Sequence, residues 1–310
     1  MNEFELIAQL TKDLPGNAAV IAGAGDDCAV LDLGQPGMLT LFKTDAVVQG
    51  IHFGPEATPE QIGHKALGRP LSDIAAMGGK AIAAVITLGL PTMFDAGFVK
   101  RIYAGMSALA GRHGVAIVGG ETTRNPDRLL LSVAVIGQVA REKCALRSGA
   151  KAGDALFVTG ELGGSLGGRH LEFEPRLREA HWLAQNFSVH AMIDLSDGLA
   201  GDLRHVLRGS GVGAEILANA VPISREARLQ AKAESAAKTP LLAALTDGED
   251  FELLFAVRSG DAVPVLDQWR AQFPGVRLSC IGKITAQAGL KIRDKDGVRA
   301  LEAHGYVHFA

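Results

Sequence analysis

The chain has 310 residues, 47% of them hydrophobic and 21% charged, with a formal net charge of −3. That composition excludes a largely disordered chain, and its slight acidity excludes a general nucleic-acid binder, which carries a basic surface. The length favours two domains over a single compact one.

Three cysteines, Cys28, Cys144 and Cys280, stand far apart without a CxxC pair. They read as small buried side chains in a reducing compartment rather than a disulfide framework. The first residues lack the basic start and apolar run of a signal peptide. The longest near-apolar stretch, 81–90, is too short to cross a bilayer. The expectations are a cytoplasmic protein with no membrane and no nucleic-acid partner.

In chain order, Asn2 is placed to cap a helix running to about Asp13, with Phe4, Ile7 and Leu10 on one face. A turn at Gly23-Ala24-Gly25 leads into Asp26-Asp27, and 38–44 reads as a strand ending at Asp45. A helix is expected from about Pro59 to Met77, then a buried strand over 81–90. Residues 94–113 read as helix, and 115–118 as a short strand stopped by Gly119-Gly120. A longer strand follows over 129–139. The pattern weakens between Arg141 and Gly153, which sets the division into 1–145 and 146–310. The second half opens with a strand over 155–159 and a glycine-rich stretch to Gly168, and a later strand is expected over 251–257. Both halves mix helix and strand, so the fold class is α/β (α+β). Leu71-Ser72-Asp73-Ile74-Ala75 is echoed by Leu195-Ser196-Asp197-Gly198-Leu199-Ala200, each near an expected helix start.

The acids carry the chemistry. Asp26-Asp27, Asp45, Asp73, Glu121, Asp194, Asp197 and Glu249-Asp250 all stand at expected strand ends or turns beside small residues. Each alone could be a turn former or cap. Together, carboxylates that converge at a sheet rim need a cation, because close like charges disfavour ionisation. Magnesium prefers hard oxygen ligands shared between carboxylates and phosphates, which would let an acidic pocket hold an anionic nucleotide. Neither a P-loop nor a dinucleotide fingerprint is present. Gly163-Gly164-Ser165 and Gly167-Gly168 could offer N–H groups to phosphates, or form a plain loop.

Taken in order, several runs resemble the thiamine-monophosphate kinases of the aminoimidazole ribonucleotide synthetase-like superfamily. They are Gly25-Asp26-Asp27-Cys28, Thr44-Asp45, Gly50-Ile51-His52-Phe53, Lys65-Ala66-Leu67 and Leu71 to Gly78. Further on come Gly119 to Arg124, Arg147-Ser148-Gly149, Ile193 to Leu199, Gly248 to Leu253 and Gly305 to Phe309. The resemblance implies two α/β domains, the N-terminal sheet pairing across a homodimer, and several Mg2+ ions with ATP as co-substrate. It further implies direct in-line phosphorylation of thiamine monophosphate to thiamine diphosphate. Asp27, Thr44, Asp45, Asp73, Asp194 and Asp197 match its metal ligands. Gly120, Arg147 and Ser196 match nucleotide positions; His52, Glu249 and Tyr306 match positions contacting thiamine phosphate. Another ATP-dependent enzyme of the superfamily, or a non-catalytic nucleotide-binding descendant, is the alternative.

Three departures stand inside these motifs. Lys43 precedes Thr44 where relatives usually carry serine or threonine, and its ammonium could replace one magnesium as a charge stabiliser. Glu121 replaces the usual aspartate, adding one methylene to a residue that could serve metal and nucleotide. Gly68-Arg69-Pro70 replaces a more usual Ala-Val-Asn stretch. Pro70 is expected to disturb a helix interior unless it starts a new turn. Arg69 reads as a solvated side chain, with a phosphate contact as the alternative.

Overall fold

The computed structural model describes residues 3–233 and 237–306. The cap at Asn2, the side chain of Phe4 and the run Val307-His308-Phe309 lie outside the described residues. Helix α1 (Glu3–Thr11) forms as the spacing suggests, yet Ile7 and Leu10 are 46% and 65% exposed. Ile7 lines an open cleft instead of a core, because α1 stands beside the junction of the two halves rather than on a sheet.

The first half builds one sheet from β1 (Val20–Ala22), β2 (Ala29–Leu31), β3 (Met38–Val48), β4 (Lys80–Leu90), β5 (Ala116–Arg124) and β6 (Leu130–Ala140). Their order is β1-β2-β3-β6-β4-β5. Strand β3 does not end at Asp45. Ala46, Val47 and Val48 continue its antiparallel pairing with β6, as β-branched side chains favour. Alternation along β3 puts Lys43 and Asp45 on the face of buried Leu39, Leu41 and Val47, and Phe42 and Thr44 on the opposite face. Strand β5 likewise runs through Gly119-Gly120 rather than stopping there. A Cβ on Gly120 would lie 1.8 Å from the Ile86 carbonyl oxygen, so glycine is what allows β5 to close on β4.

Helix α2 (Pro59–Ala76) starts at a reciprocal cap between Thr58 and Gln61 and continues through Pro70. Most of the helix is buried, against α3 (Ala96–His113), β3, and α4 (Leu177–Asn186) of the second half. That burial outweighs the roughly 3 kcal/mol an interior proline costs. Leu71 to Ala75 therefore lies inside a helix, whereas its echo spans the loop before α5 (Leu199–Ser210) and that helix's first two residues; the two do not occupy equivalent positions.

Helices α2 and α3 touch backbone to backbone. A Cβ on Gly105 would stand 2.0 Å from the Glu60 carbonyl oxygen, and one on Gly63 would stand 1.9 Å from that of Ile102. Gly105→Ala is expected to destabilise by about 2 kcal/mol or more through overpacking. Gly111→Ala on the same helix, with nothing within 4 Å of the new methyl, is expected to be neutral or slightly stabilising. Urea unfolding of both variants checks this; equal midpoints would refute the close contact.

The second half forms a seven-stranded sheet ordered β13-β12-β9-β11-β7-β10-β8. Its inner strands are β7 (Ala155–Thr159), β10 (Leu253–Val257) and β11 (Leu278–Thr285), with β8 (Val189–Asp194) at one edge. β9 (Gly213–Leu217), β12 (Gly289–Asp294) and β13 (Gly297–Ala300) complete it. One continuous core joins the first sheet, α2, α3, α4 and one face of the second sheet. A second core lies on the other face, beneath α5 and α7 (Pro240–Thr246). The remaining helices are α6 (Arg225–Gln230) and α8 (Ala262–Gln272). The result is a two-part α/β architecture with a cleft between the parts. Among the described residues, no helix is long and apolar enough to cross a membrane.

Candidate active site

Three aspartates from distant parts of the chain converge at this cleft. Asp27 follows the glycine turn before β2, Asp73 lies on the inner face of α2, and Asp194 ends β8. One carboxylate oxygen from each lies within 4.8 Å of the others, and all three residues are buried. Burial, then the neighbouring Asp27, pushes the Asp194 carboxyl up to about 7. Burial raises Asp73 well above its ordinary value against the pull of Lys43. Ser72 donates to Asp194 at 2.7 Å, while Asp27 Oδ2 is buried with no hydrogen-bond partner among the described residues. Buried like charges and an orphaned oxygen fit a hard divalent cation such as magnesium.

Lys43 enters this cluster from β3. Its Nζ lies 3.1 Å from Asp73 Oδ1 and 4.0 Å from Asp45 Oδ1. Burial opposes its charge, but Asp73, Asp45 and Asp27 outweigh that and raise its pKa. Arg147 enters from the other side and donates to Asp27 through Nη2 at 2.6 Å and Nε at 3.2 Å. Its backbone N–H donates to Asp26, so the glycine turn and the start of the second half are held together.

Two cavities meet here. The smaller, about 140 Å³, is lined by His52, Arg69, Ser196, Asp197, Glu249 and Tyr306, among others. The larger, about 680 Å³, includes Asp26, Arg147, Ser196, Asp197, Asp202 and His205 in its wall. Ser196 and Asp197, just after Asp194, belong to both. His52, Glu249 and Tyr306 thus come together in one pocket, and Arg147 and Ser196 in the other.

Glu249 is the most tightly held acid in the small cavity. Lys65 Nζ contacts its Oε2 directly, and His170 Nδ1 lies 2.9 Å from the same oxygen. Burial would raise this carboxyl, but His170, Lys65 and Arg69 pull it down to about 2. Its backbone has φ of 65°, a left-handed conformation uncommon away from glycine. The glycine-rich loop fixes it there. Gly163 N–H donates to Asp250, Gly164 N–H to Asp247, and Ser165 Oγ to the Glu249 carbonyl. The N–H groups of Gly167 and Gly168 close turns onto Gly164 and Ser165. This loop therefore buttresses the pocket, and the N–H groups of these glycines are taken, not free for phosphates.

Three matched residues stand apart from the cluster. Thr44 lies on the far face of β3, 3.3 Å from Ser132 Oγ. Gly120 and Glu121 lie on the edge strand β5, three strands from β3, or about 14 Å at ordinary strand spacing. Glu121 is not among the acids whose oxygens converge among the described residues. Asp197 lines both cavities but is not one of the converging three.

Sequence reasoning missed Lys65, His170 and Asp202 as site residues, and for Arg69 it preferred the solvated reading over a phosphate contact. Arg69 is not solvated; it lines the small cavity with 16% of its side chain exposed. Asp202 is buried and accepts from the Asp197 N–H. One signal was available: Lys65, Arg69 and Asp73 recur every four residues, along one face of the helix.

Residues 25–139 match the AIR synthase related protein N-terminal domain, and residues 151–295 the C-terminal domain. A thiamine-monophosphate kinase of Rhodopirellula baltica is 40% identical over 288 residues, covering 90% of this chain and 87% of the relative. The Bacillus subtilis protein of that name is 32% identical over 335 residues, covering the whole of both. Among solved structures, one described as AaThiL complexed with AMPPCP and TMP superposes with a TM-score of 0.82 at 29% identity. That match covers 99% of this chain and 97% of the other. Thiamine-monophosphate kinase from Stenotrophomonas maltophilia gives a TM-score of 0.74 at 28% identity, covering 98% of each.

Proposed function

The chain belongs to the thiamine-monophosphate kinase family, and from that premise we propose that it transfers the γ-phosphate of ATP to thiamine monophosphate, forming thiamine diphosphate. The observation that carries this reading is the pair of cavities sharing Ser196 and Asp197, which follow Asp194, a member of the buried aspartate cluster, by two and three residues. A related structure holding AMPPCP and TMP together supports it. The larger cavity takes the nucleotide, with Arg147 and Ser196 at its phosphate end. The smaller takes the thiamine part, with His52, Glu249 and Tyr306 around it.

Asp27, Asp73 and Asp194 would hold magnesium, with Asp45 and Asp197 beside them. Bound there, the metal would offset charge on the transferred phosphoryl group. The acceptor is itself a phosphate, ionised at neutral pH, so no general base is required and transfer is direct. Arg147 and Lys43 supply fixed positive charge, and Glu249 faces the cationic thiamine. Positioning and electrostatics then carry the rate.

We also place Gly120 and Glu121 at a homodimer interface, with the chain divided at 145/146 and the protein in the cytoplasm. Phe42, Val85, Val118 and Ile136 are exposed on the N-terminal sheet, and an apolar open sheet surface favours pairing with a second copy. The three cysteines carry no disulfide, as a reducing compartment requires.

The test follows diphosphate formation from thiamine monophosphate and ATP, with magnesium and with a chelator, against thiamine and an aminoimidazole precursor. Magnesium-dependent thiamine diphosphate is the expected product. No product from folded, ATP-binding protein would overturn the proposal.

A further inference from the structure

Arg69 is the cation in the small cavity that no tight ion pair consumes. Its Nη2 lies 4.0 Å from Asp45 Oδ1, and its Nη1 lies 3.9 Å from Glu249 Oε1. Among the described residues its one hydrogen bond runs from Nη1 to the Ala46 carbonyl, at 3.3 Å. Its Nε is buried with no hydrogen-bond partner among the described residues. Glu249 does not need it as counter-ion, because Lys65 and His170 already hold that carboxylate. Asp45 has Lys43 at the same distance. A guanidinium placed between two carboxylates, yet bidentate to neither, leaves its fork of N–H donors for something else.

Its place in the fold says what that is. Along α2, Lys65, Arg69 and Asp73 rise one above another at four-residue spacing. Lys65 anchors the pocket residue Glu249, and Asp73 belongs to the aspartate cluster. Arg69 stands between them, in the same wall as His52 and Tyr306. A ligand with its ring among His52, Glu249 and Tyr306 and its phosphate directed to the aspartates must pass this guanidinium.

We infer that Arg69 binds the phosphate of the acceptor substrate and makes the pocket select a phosphate monoester over the free alcohol. The inference rests on the kinase reading and deepens it. A planar guanidinium grips a phosphate through two parallel charge-assisted hydrogen bonds. A positive charge there also offsets repulsion between acceptor phosphate, nucleotide and aspartates.

Binding of thiamine monophosphate and of unphosphorylated thiamine is measured by titration calorimetry for wild type, Arg69→Met and Arg69→Lys, beside steady-state kinetics. Wild type should prefer the monophosphate. Arg69→Met should lose at least about tenfold of that preference, the size expected for charged hydrogen bonds, while thiamine itself binds within about threefold. The KM for thiamine monophosphate should rise at least about tenfold with that for ATP little changed, and Arg69→Lys should recover part of the loss. A folded Arg69→Met protein that keeps both the preference and the KM would overturn the inference and leave the kinase reading standing. Wild type that binds neither thiamine compound would overturn both.

Discussion

Asp194→Asn is expected to lower kcat by at least about 10³-fold, the equivalent of some 4 kcal/mol of transition-state stabilisation. Asp194 is the one member of the triad contributed by the second half, so its loss opens the cluster at the cleft. The substitution keeps the side chain's size and an oxygen for the Ser72 hydroxyl. Folding should survive it. Without metal the variant should be no less stable than wild type, because one of three mutually repelling buried carboxylates has gone. Magnesium should raise the melting temperature of wild type by binding the folded state alone, and should raise that of the variant little or not at all. Thermal melts with and without magnesium, beside kcat, check both halves. A variant retaining a tenth of wild-type kcat and the full magnesium shift would remove Asp194 from the metal site.

The second large effect is expected at Lys43. Its ammonium sits 3.1 Å from Asp73, a place where a serine or threonine would leave room for a further cation. Lys43→Met should lower kcat about 100-fold, since a fixed charge beside the reacting phosphates is lost and nothing replaces it. Lys43→Ser should show a similar loss at low magnesium, then recover as magnesium rises and fills the vacated position. The magnesium dependence should become steeper in that variant alone. Activity against magnesium concentration for the three proteins is the measurement. A Lys43→Ser protein with unchanged activity and unchanged magnesium dependence would refute the replacement of a metal by this lysine.

The sequence by itself determined the class of fold, the acidic character of the site and the family. Each follows from local information. Valine and isoleucine runs make strands wherever they pair, and an aspartate beside a glycine or serine at the end of a run is visible without knowing its neighbours. Asp27 and Asp194 could therefore be named from the chain alone, while Asp73, inside a helix, and the oddity of Lys43 were visible through the family's motif.

What the tertiary structure decided is which groups meet. Lys65, His170 and Glu249 form one network across 79 to 184 residues of chain, and no periodicity in the sequence reports such a contact. The side of β3 that faces the cluster depends on alternation and on register with β6, which puts Lys43 and Asp45 inward and Thr44 outward. Strand order carries Glu121 to the edge of the sheet, away from the aspartates it resembles in sequence. That the glycine-rich loop braces the pocket and Arg69 lines it was hidden for the same reason. Whether an N–H or a guanidinium is free for a ligand depends on which carboxylates the fold brings to it, and those lie far along the chain.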